Sequence, residues 1–193
     1  VQVRQSRNSR YRSHSLTSGG AIARVEINSL LDGEGAECIL QGVYVAGGQQ
    51  HIENRTLIDH AKPRCTSREL YKGVLGDGAR GVFNGKIVVR EDAQETNARQ
   101  TNRNLILSPN AEIDSKPQLE ILANNVQCSH GTTIGQINED ELFYLQSRGL
   151  DHASARGLLV QGFLNEVLDG ISIAPLRDGL KAQGFTDLYG STT

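Results

Sequence analysis

The sequence predicts a mainly β chain, a solenoid of short strands followed by a small helical domain. Three observations predict it. From Ala21 to about Ile137, short β-branched and apolar runs alternate with Gly, Asn and Asp, and none holds a helical period. Gly33 to Val45 resembles Gly76 to Val88, an internal repeat at an offset of 43 positions. After Ile137 the pattern switches to capped, amphipathic helices. The division that follows is a polar N-terminal segment over 1–19, a β core over 20–137 and a helical domain over 138–190.

The first segment carries Arg4, Arg7, Arg10 and Arg12 among Ser, Asn and Gln, with Tyr11 as the one interleaved aromatic. It reads as a frayed, solvated terminus rather than an RNA-binding arm. Strand signals follow at Ala21–Ile27, Val43–Val45, Thr56–Ile58, Lys86–Val89, Asn104–Leu107 and Gln118–Ile121. In the repeat, Gly33 matches Gly76, Gly35 matches Gly78, Ala36 matches Ala79, Gly42 matches Gly85 and Val45 matches Val88. Glycines at fixed spacing suggest corners between stacked coils, and 43 residues suggests two coils of a β-helix. A propeller blade has a similar length, but two copies cannot close a propeller. A β-sandwich also fits a strand series of this kind.

The helical part has its own punctuation. Asn138 suits an N-cap, and Glu141 three residues on completes a capping-box-like start. Glu139 and Asp140 place negative charge in the first turn. Gly149 ends this helix and Asp151 can cap the next. Ala155, Leu158, Leu159, Gly162, Phe163 and Val167 then form an apolar stripe, which Gly170 terminates. Pro175, with Leu176 and Leu180, suggests a third, shorter helix.

Composition excludes several function classes. The chain of 193 residues carries 20 basic and 22 acidic side chains, a net charge of -2, unlike the strongly basic balance of a general nucleic-acid binder. Aromatics are 5% and Trp is absent, so the core must be lean. Three cysteines, 38, 65 and 128, are odd in number and lack CxxC spacing, which fits a reducing compartment rather than a disulfide framework. No apolar run approaches the ~20 residues of a membrane span. A Val1 start with no methionine anywhere suggests a piece of a longer protein.

Cys128-Ser129-His130 is the main chemical candidate. In a strand, residues two apart share a face, so thiolate and imidazole would lie side by side. Both donors suit zinc or iron, and thiolate suits iron–sulfur clusters. Two ligands do not complete a tetrahedral site, so others must come from elsewhere, or the pair is simply a buried Cys beside a hydrogen-bonded His. A Cys–His nucleophilic dyad needs an orienting third group and an oxyanion hole, which sequence does not reveal. The remaining histidines, 14, 51, 60 and 152, are scattered. Gly76-Asp77-Gly78 lacks the Lys-Ser/Thr of a phosphate-binding loop. A carbohydrate-active β-helix enzyme, the alternative reading, would need a pair of carboxylates on one solenoid face, and no pair stands out.

A series of motifs carries a more specific signal. Gln50-His51-Ile52-Glu53-Asn54-Arg55-Thr56-Leu57-Ile58-Asp59-His60 comes first. Tyr71-Lys72-Gly73-Val74, then Val82-Phe83-Asn84-Gly85-Lys86-Ile87, follow. Next are Gln94-Glu95-Thr96-Asn97-Ala98 and Gln100-Thr101-Asn102-Arg103-Asn104-Leu105. Pro117-Gln118-Leu119-Glu120-Ile121, Cys128-Ser129-His130-Gly131 and Leu142-Phe143-Tyr144-Leu145-Gln146-Ser147-Arg148-Gly149 close the series. In order and number, from Gly42 to about Val167, they resemble the SufB/SufD family of iron–sulfur cluster assembly scaffolds. Val1 to Leu40 matches only loosely. Cys-Ser-His-Gly followed by Thr-Thr-Ile-Gly is similar to the SufD branch, although Thr132 stands where that branch often has Ala.

The resemblance implies a right-handed parallel β-helix core with a C-terminal helical domain, and no independent catalysis. It implies pairing with a SufB-like subunit through the β-helices and binding of a SufC-like ATPase through the helical domain. It further implies a transient iron–sulfur cluster shared at the subunit interface, with electrons from a reduced flavin at the level of the complex. The family's candidate histidine ligand falls on His130, and Cys128 is its same-face neighbour. The ATPase-binding face is expected on helices 138–148 and 151–169, with Asn138, Leu142, Phe143, Tyr144, Arg148, Leu158 and Phe163. The family's N-terminal helical domain has no counterpart in this sequence. Homodimerisation is expected when the chain is isolated, because a β-helix end exposes unpaired strand edges. The expected location is the cytoplasm, or the plastid stroma in a eukaryote, with neither nucleic acid nor membrane as partner.

Overall fold

A computed structural model describes residues 1–183. Ten strands come first: β1 Gln2–Gln5, β2 Arg10–Ser18, β3 Ile22–Leu31, β4 Glu37–Ala46, β5 His51–His60, β6 Thr66–Leu75, β7 Arg80–Val89, β8 Asn97–Ile106, β9 Glu112–Ile121 and β10 Gln127–Gly135. Three helices follow: α1 Glu139–Ser147, α2 His152–Leu168 and α3 Ala174–Gln183. The last part of the expected helical domain, 184–190, lies outside the described residues.

Odd-numbered strands form one parallel sheet, β1-β3-β5-β7-β9, and even-numbered strands form the other, β10-β8-β6-β4-β2. Two strands therefore make one coil, and five coils stack into a parallel β-solenoid. The stacking distance is the ordinary spacing of neighbouring strands, about 4.8 Å.

The register fixes the true period. His51 pairs with Ile22, Thr66 with Glu37 and Arg80 with His51, each 29 residues on, and the remaining pairings step by 26 to 32 residues. The 43-residue repeat is thus three half-coils, not two coils. It superimposes β4 of one sheet on β7 of the other. Both strands follow a tight turn and point the same alternating set of side chains inward, so their sequences converge although their sheets differ. The matched glycines divide in the same way. Gly33 and Gly76 lie between strands, whereas Gly42 and Gly85 sit inside β4 and β7.

Most corners do not use glycine. One corner stacks a left-handed residue in four successive coils: Asn8 (φ 56), Gly35 (φ 70), Arg64 (φ 58) and Glu95 (φ 60). Each binds the next coil through its backbone, as in Asn8 N to the Glu34 carbonyl at 2.9 Å and Arg64 N to the Gln94 carbonyl at 2.9 Å. The local hydrogen bonding holds three non-glycine residues in a conformation that costs each of them about 1 kcal/mol.

The N-terminal segment is not frayed. β1 pairs with β3 and β2 with β4, so residues 2–18 build the first coil. Its polar composition misled because the outward positions carry the charge: Arg4 binds Asp32 and Arg10 binds Glu37 across coils.

Between the sheets lies the main core, which includes Tyr44, Ile52, Ile58, Tyr71, Phe83 and Ile87. A second cluster lies outside it, where Val160, Leu164 and Val167 of α2 cover Val43, Val45, Val74 and Leu105 on the outer face of the even-numbered sheet. This explains why the ends of β4 and β6 are buried on both faces. It also rotates the expected helical stripe. Ala155, Val160, Leu164, Val167 and Leu168 are buried, while Leu158 and Gly162 are exposed. The side bearing Leu158 and Leu159 meets α1 instead of the sheet. Among the described residues, no helix is long and apolar enough to cross a membrane.

Candidate functional site

β10 is the last strand of its sheet, paired with β8 on one edge only. Cys128, His130 and Thr132 share its inward face and lie in register over Ala98, Gln100 and Asn102. The same-face expectation for Cys128 and His130 therefore agrees with the pairing. Their environments differ. Cys128 is half-buried against the main core, whereas His130 is exposed because no further coil covers it. Burial pushes the Cys128 thiol up, opposed by a hydrogen bond from the Ala98 backbone. A protonated thiol is a weak nucleophile, so the pair is not preset for covalent catalysis. Among the described residues, no three His, Cys, Asp or Glu side chains converge as a metal site. All three cysteines are free thiols.

Behind β10 the interior is polar, which the composition did not suggest. Asn102 Nδ2 donates to the Tyr44 hydroxyl and to the Tyr71 carbonyl, each at 3.2 Å. Asn104 Nδ2 donates to Asn102 Oδ1 at 2.7 Å, and the Tyr44 hydroxyl donates to Asn104 Oδ1. Ser115 Oγ donates to Asn102 Oδ1 at 2.7 Å and lies 3.1 Å from Thr132 Oγ1, which ties this network to the open coil. In the next column, Gln100 Nε2 donates to Glu69 Oε2 at 2.6 Å. Burial pushes the Glu69 carboxyl up to about 7, against the opposing effect of Thr56 and Gln100. His60 Nε2 lies 2.9 Å from Ser67 Oγ, and burial takes its imidazole down to about 4.

The one sequence signal for this network was the alternation in Gln100-Thr101-Asn102-Arg103-Asn104. Polar side chains there occupy the three central inward positions of β8, between the apolar Ala98 and Ile106. The outward acids behave differently. Asp59 binds Arg90, and Glu53 binds Arg24 and Arg55. These carboxylates are neutralised surface charges, and Glu69 is sealed inside.

The seven helical residues expected at a partner face separate into two groups. Phe143, Tyr144, Arg148 and Leu158 are exposed. Tyr144 and Leu158 line an apolar cleft with Leu145 and Leu159. Asn138, Leu142 and Phe163 are committed to the fold. The Asn138 side-chain carbonyl accepts from the backbone of Asp140 and Glu141 at 2.9 and 3.4 Å. Leu142 is 5% exposed. The Phe163 ring packs 4.5 Å beneath the Lys72 ammonium.

Together, the two stacked parallel sheets, the open terminal coil and the exposed helical face define a β-solenoid with a docked helical domain. The chain belongs to the SufBD core family of the SUF system of iron–sulfur cluster assembly, whose family model matches residues 1–163. The match includes Val1 to Leu40, which the motifs alone had left only loosely related. It is 39% identical to the iron–sulfur cluster assembly protein SufD of Escherichia coli over 172 residues, 89% of this chain and 40% of that one. Identity is 38% to a SufBD family protein of a Synechocystis strain over 179 residues, 93% of this chain and 40% of that one. A relative from Arabidopsis thaliana named ABCI7, chloroplastic, is 35% identical over 91% of this chain and 37% of its own. The chain spans about two fifths of the length of these curated relatives.

Proposed function

We propose that this chain is the core of a non-catalytic, SufD-like scaffold subunit on which a nascent iron–sulfur cluster is held. The observation that carries the reading is the position of His130 and Cys128. A soft donor and an imidazole share one face of the terminal coil, beside an unpaired strand edge, and no third donor from the described residues joins them. Such a half-site is completed by ligands from a second chain. A SufB-like subunit docking on the open coil supplies them, and a second copy of this chain uses the same edge when that subunit is absent.

The exposed cleft between α1 and α2 is the surface for a SufC-like ATPase, with Tyr144 and Leu158 in its wall and the exposed Phe143 and Arg148 elsewhere on the same helical domain. The assembly receives electrons from reduced flavin bound elsewhere in the complex. It works in the cytoplasm, or in the plastid stroma of a eukaryote.

The test is cluster build-up in the assembled complex. His130→Ala is expected to abolish the visible absorbance of the cluster while leaving the circular dichroism of the subunit unchanged. Cluster yield equal to that of the unmodified complex would remove His130 from this role.

A further inference from the structure

We propose that Gln100 is a positioning residue for His130, its side-chain carbonyl accepting a hydrogen bond from one imidazole N–H. The inference rests on the reading of His130 as a cluster ligand and names what orients it.

Three observations converge. His130 pairs in register with Gln100, and Gln100 with Glu69, so the three form one inward column through successive coils. Gln100 is fully buried, and its amide nitrogen is committed to Glu69 Oε2 at 2.6 Å. In that orientation, the one an ionised Glu69 selects, Gln100 Oε1 is a buried acceptor without a donor. An unpaired buried acceptor costs on the order of 1–3 kcal/mol, so a donor within reach is drawn to it.

His130 is the ring donor that the register places over it. Neighbouring strands lie about 4.8 Å apart, a distance an imidazole spans when it turns inward. On the same strand Thr132 does not compete, because it is already engaged with Ser115. When one ring nitrogen donates to Gln100, the other becomes an acceptor facing the open coil. Its lone pair is then directed at the site where a metal would sit. Ligating histidines commonly have their second nitrogen held by such an acceptor.

The experiment reads the His130 tautomer directly, without a cluster. The full-length protein is labelled with 15N-histidine, and the two ring-nitrogen shifts of His130 are compared between the unmodified chain, Gln100→Leu and Glu69→Gln. One tautomer is expected to dominate in the unmodified chain. Gln100→Leu is expected to reduce that preference about three- to tenfold, the range of one hydrogen bond. Glu69→Gln provides the second variant should Gln100→Leu fold poorly. It offers the Gln100 carbonyl a competing donor, and the preference should weaken in the same direction. The His60 resonance, held by Ser67, reports that the interior is intact. An unchanged tautomer ratio in a folded variant overturns the proposal, and it does so whether or not His130→Ala abolishes the cluster.

Discussion

The Lys72 ammonium lies 4.5 Å from the centroid of the Phe163 ring and donates a 2.7 Å hydrogen bond to the Phe163 carbonyl. These residues stand 91 positions apart and join β6 to α2. Glu166 completes the arrangement, 2.5 Å from Lys72 Nζ, and is also bound by Arg103 at 3.1 Å. The hydrogen bond from Lys72 holds the Glu166 carboxyl below its ordinary range.

Lys72→Ala removes a nearly buried cation, its packing on the ring and a charge-assisted hydrogen bond. A loss of about 2–3 kcal/mol is expected in chemical denaturation. Hydrogen exchange should accelerate in α2 while β5 and β7 stay protected, since those strands do not touch this joint. Uniform acceleration would show instead that helices and solenoid unfold as one unit.

Close stacking of the coils gives a second expectation. Tyr71 lies over Gly42, where an added Cβ would fall 2.2 Å from the ring, and Tyr44 lies over Gly73, where it would fall 2.3 Å away. Gly42→Ala and Gly73→Ala should each destabilise by about 3 kcal/mol or more, because buried aromatic rings in a packed core cannot retreat. Gly131→Ala on the open coil meets nothing within 4 Å and should change the midpoint little.

Stability should depend on pH through Glu69. Its folded-state pKa, about 7, is raised above the ordinary 4.5, so the folded chain binds this proton more tightly than the unfolded one. The contribution is fully present below pH 4.5 and is lost as pH rises through 7. His60 acts in the opposite sense: with its pKa lowered to about 4, its contribution is present above 6.5 and lost as pH falls through 4. Glu69→Gln should therefore gain on the unmodified chain between pH 5 and pH 8, by about 3 kcal/mol at most. Parallel stability curves for the two would contradict this.

The left-handed corner supplies a fourth test. Glu95 (φ 60) is exposed at its turn. Glu95→Gly should raise stability by up to about 1 kcal/mol, and the β-branched Glu95→Val should lower it by about 1–2 kcal/mol. A loss in both variants would mean that the Glu95 side chain, rather than its backbone angle, holds the turn.

The order of β then α was readable because strand alternation and helix capping are local signals. Asn138 and Asp151 cap the helices that their positions suggest. The Cys128–His130 relationship was readable for the same reason, since a period of two needs no knowledge of neighbours. The coil length was not. Both half-coils obey one inward pattern, so the strongest self-match joined strands of different sheets. Nor was the fate of Leu142 or Phe163, because which side of a helix is buried depends on the strand it meets. The Glu69–Gln100 pair was hidden further, as each residue resembles a surface polar group until the register stacks one on the other.

The coil, 26 to 32 residues long, also acts as a ruler of rotation. α2 requires the apolar outer positions of the even-numbered sheet, Val43, Val74 and Leu105, beneath it. Adding or removing a full revolution of chain leaves that requirement in phase. A half-revolution would bring round the other sheet, whose outer surface carries the Arg24–Glu53–Arg55 cluster, and set an apolar helix on paired charges. Natural length variants of this core should therefore differ by whole revolutions, and a deletion of half of one should release the helices while sparing the strands.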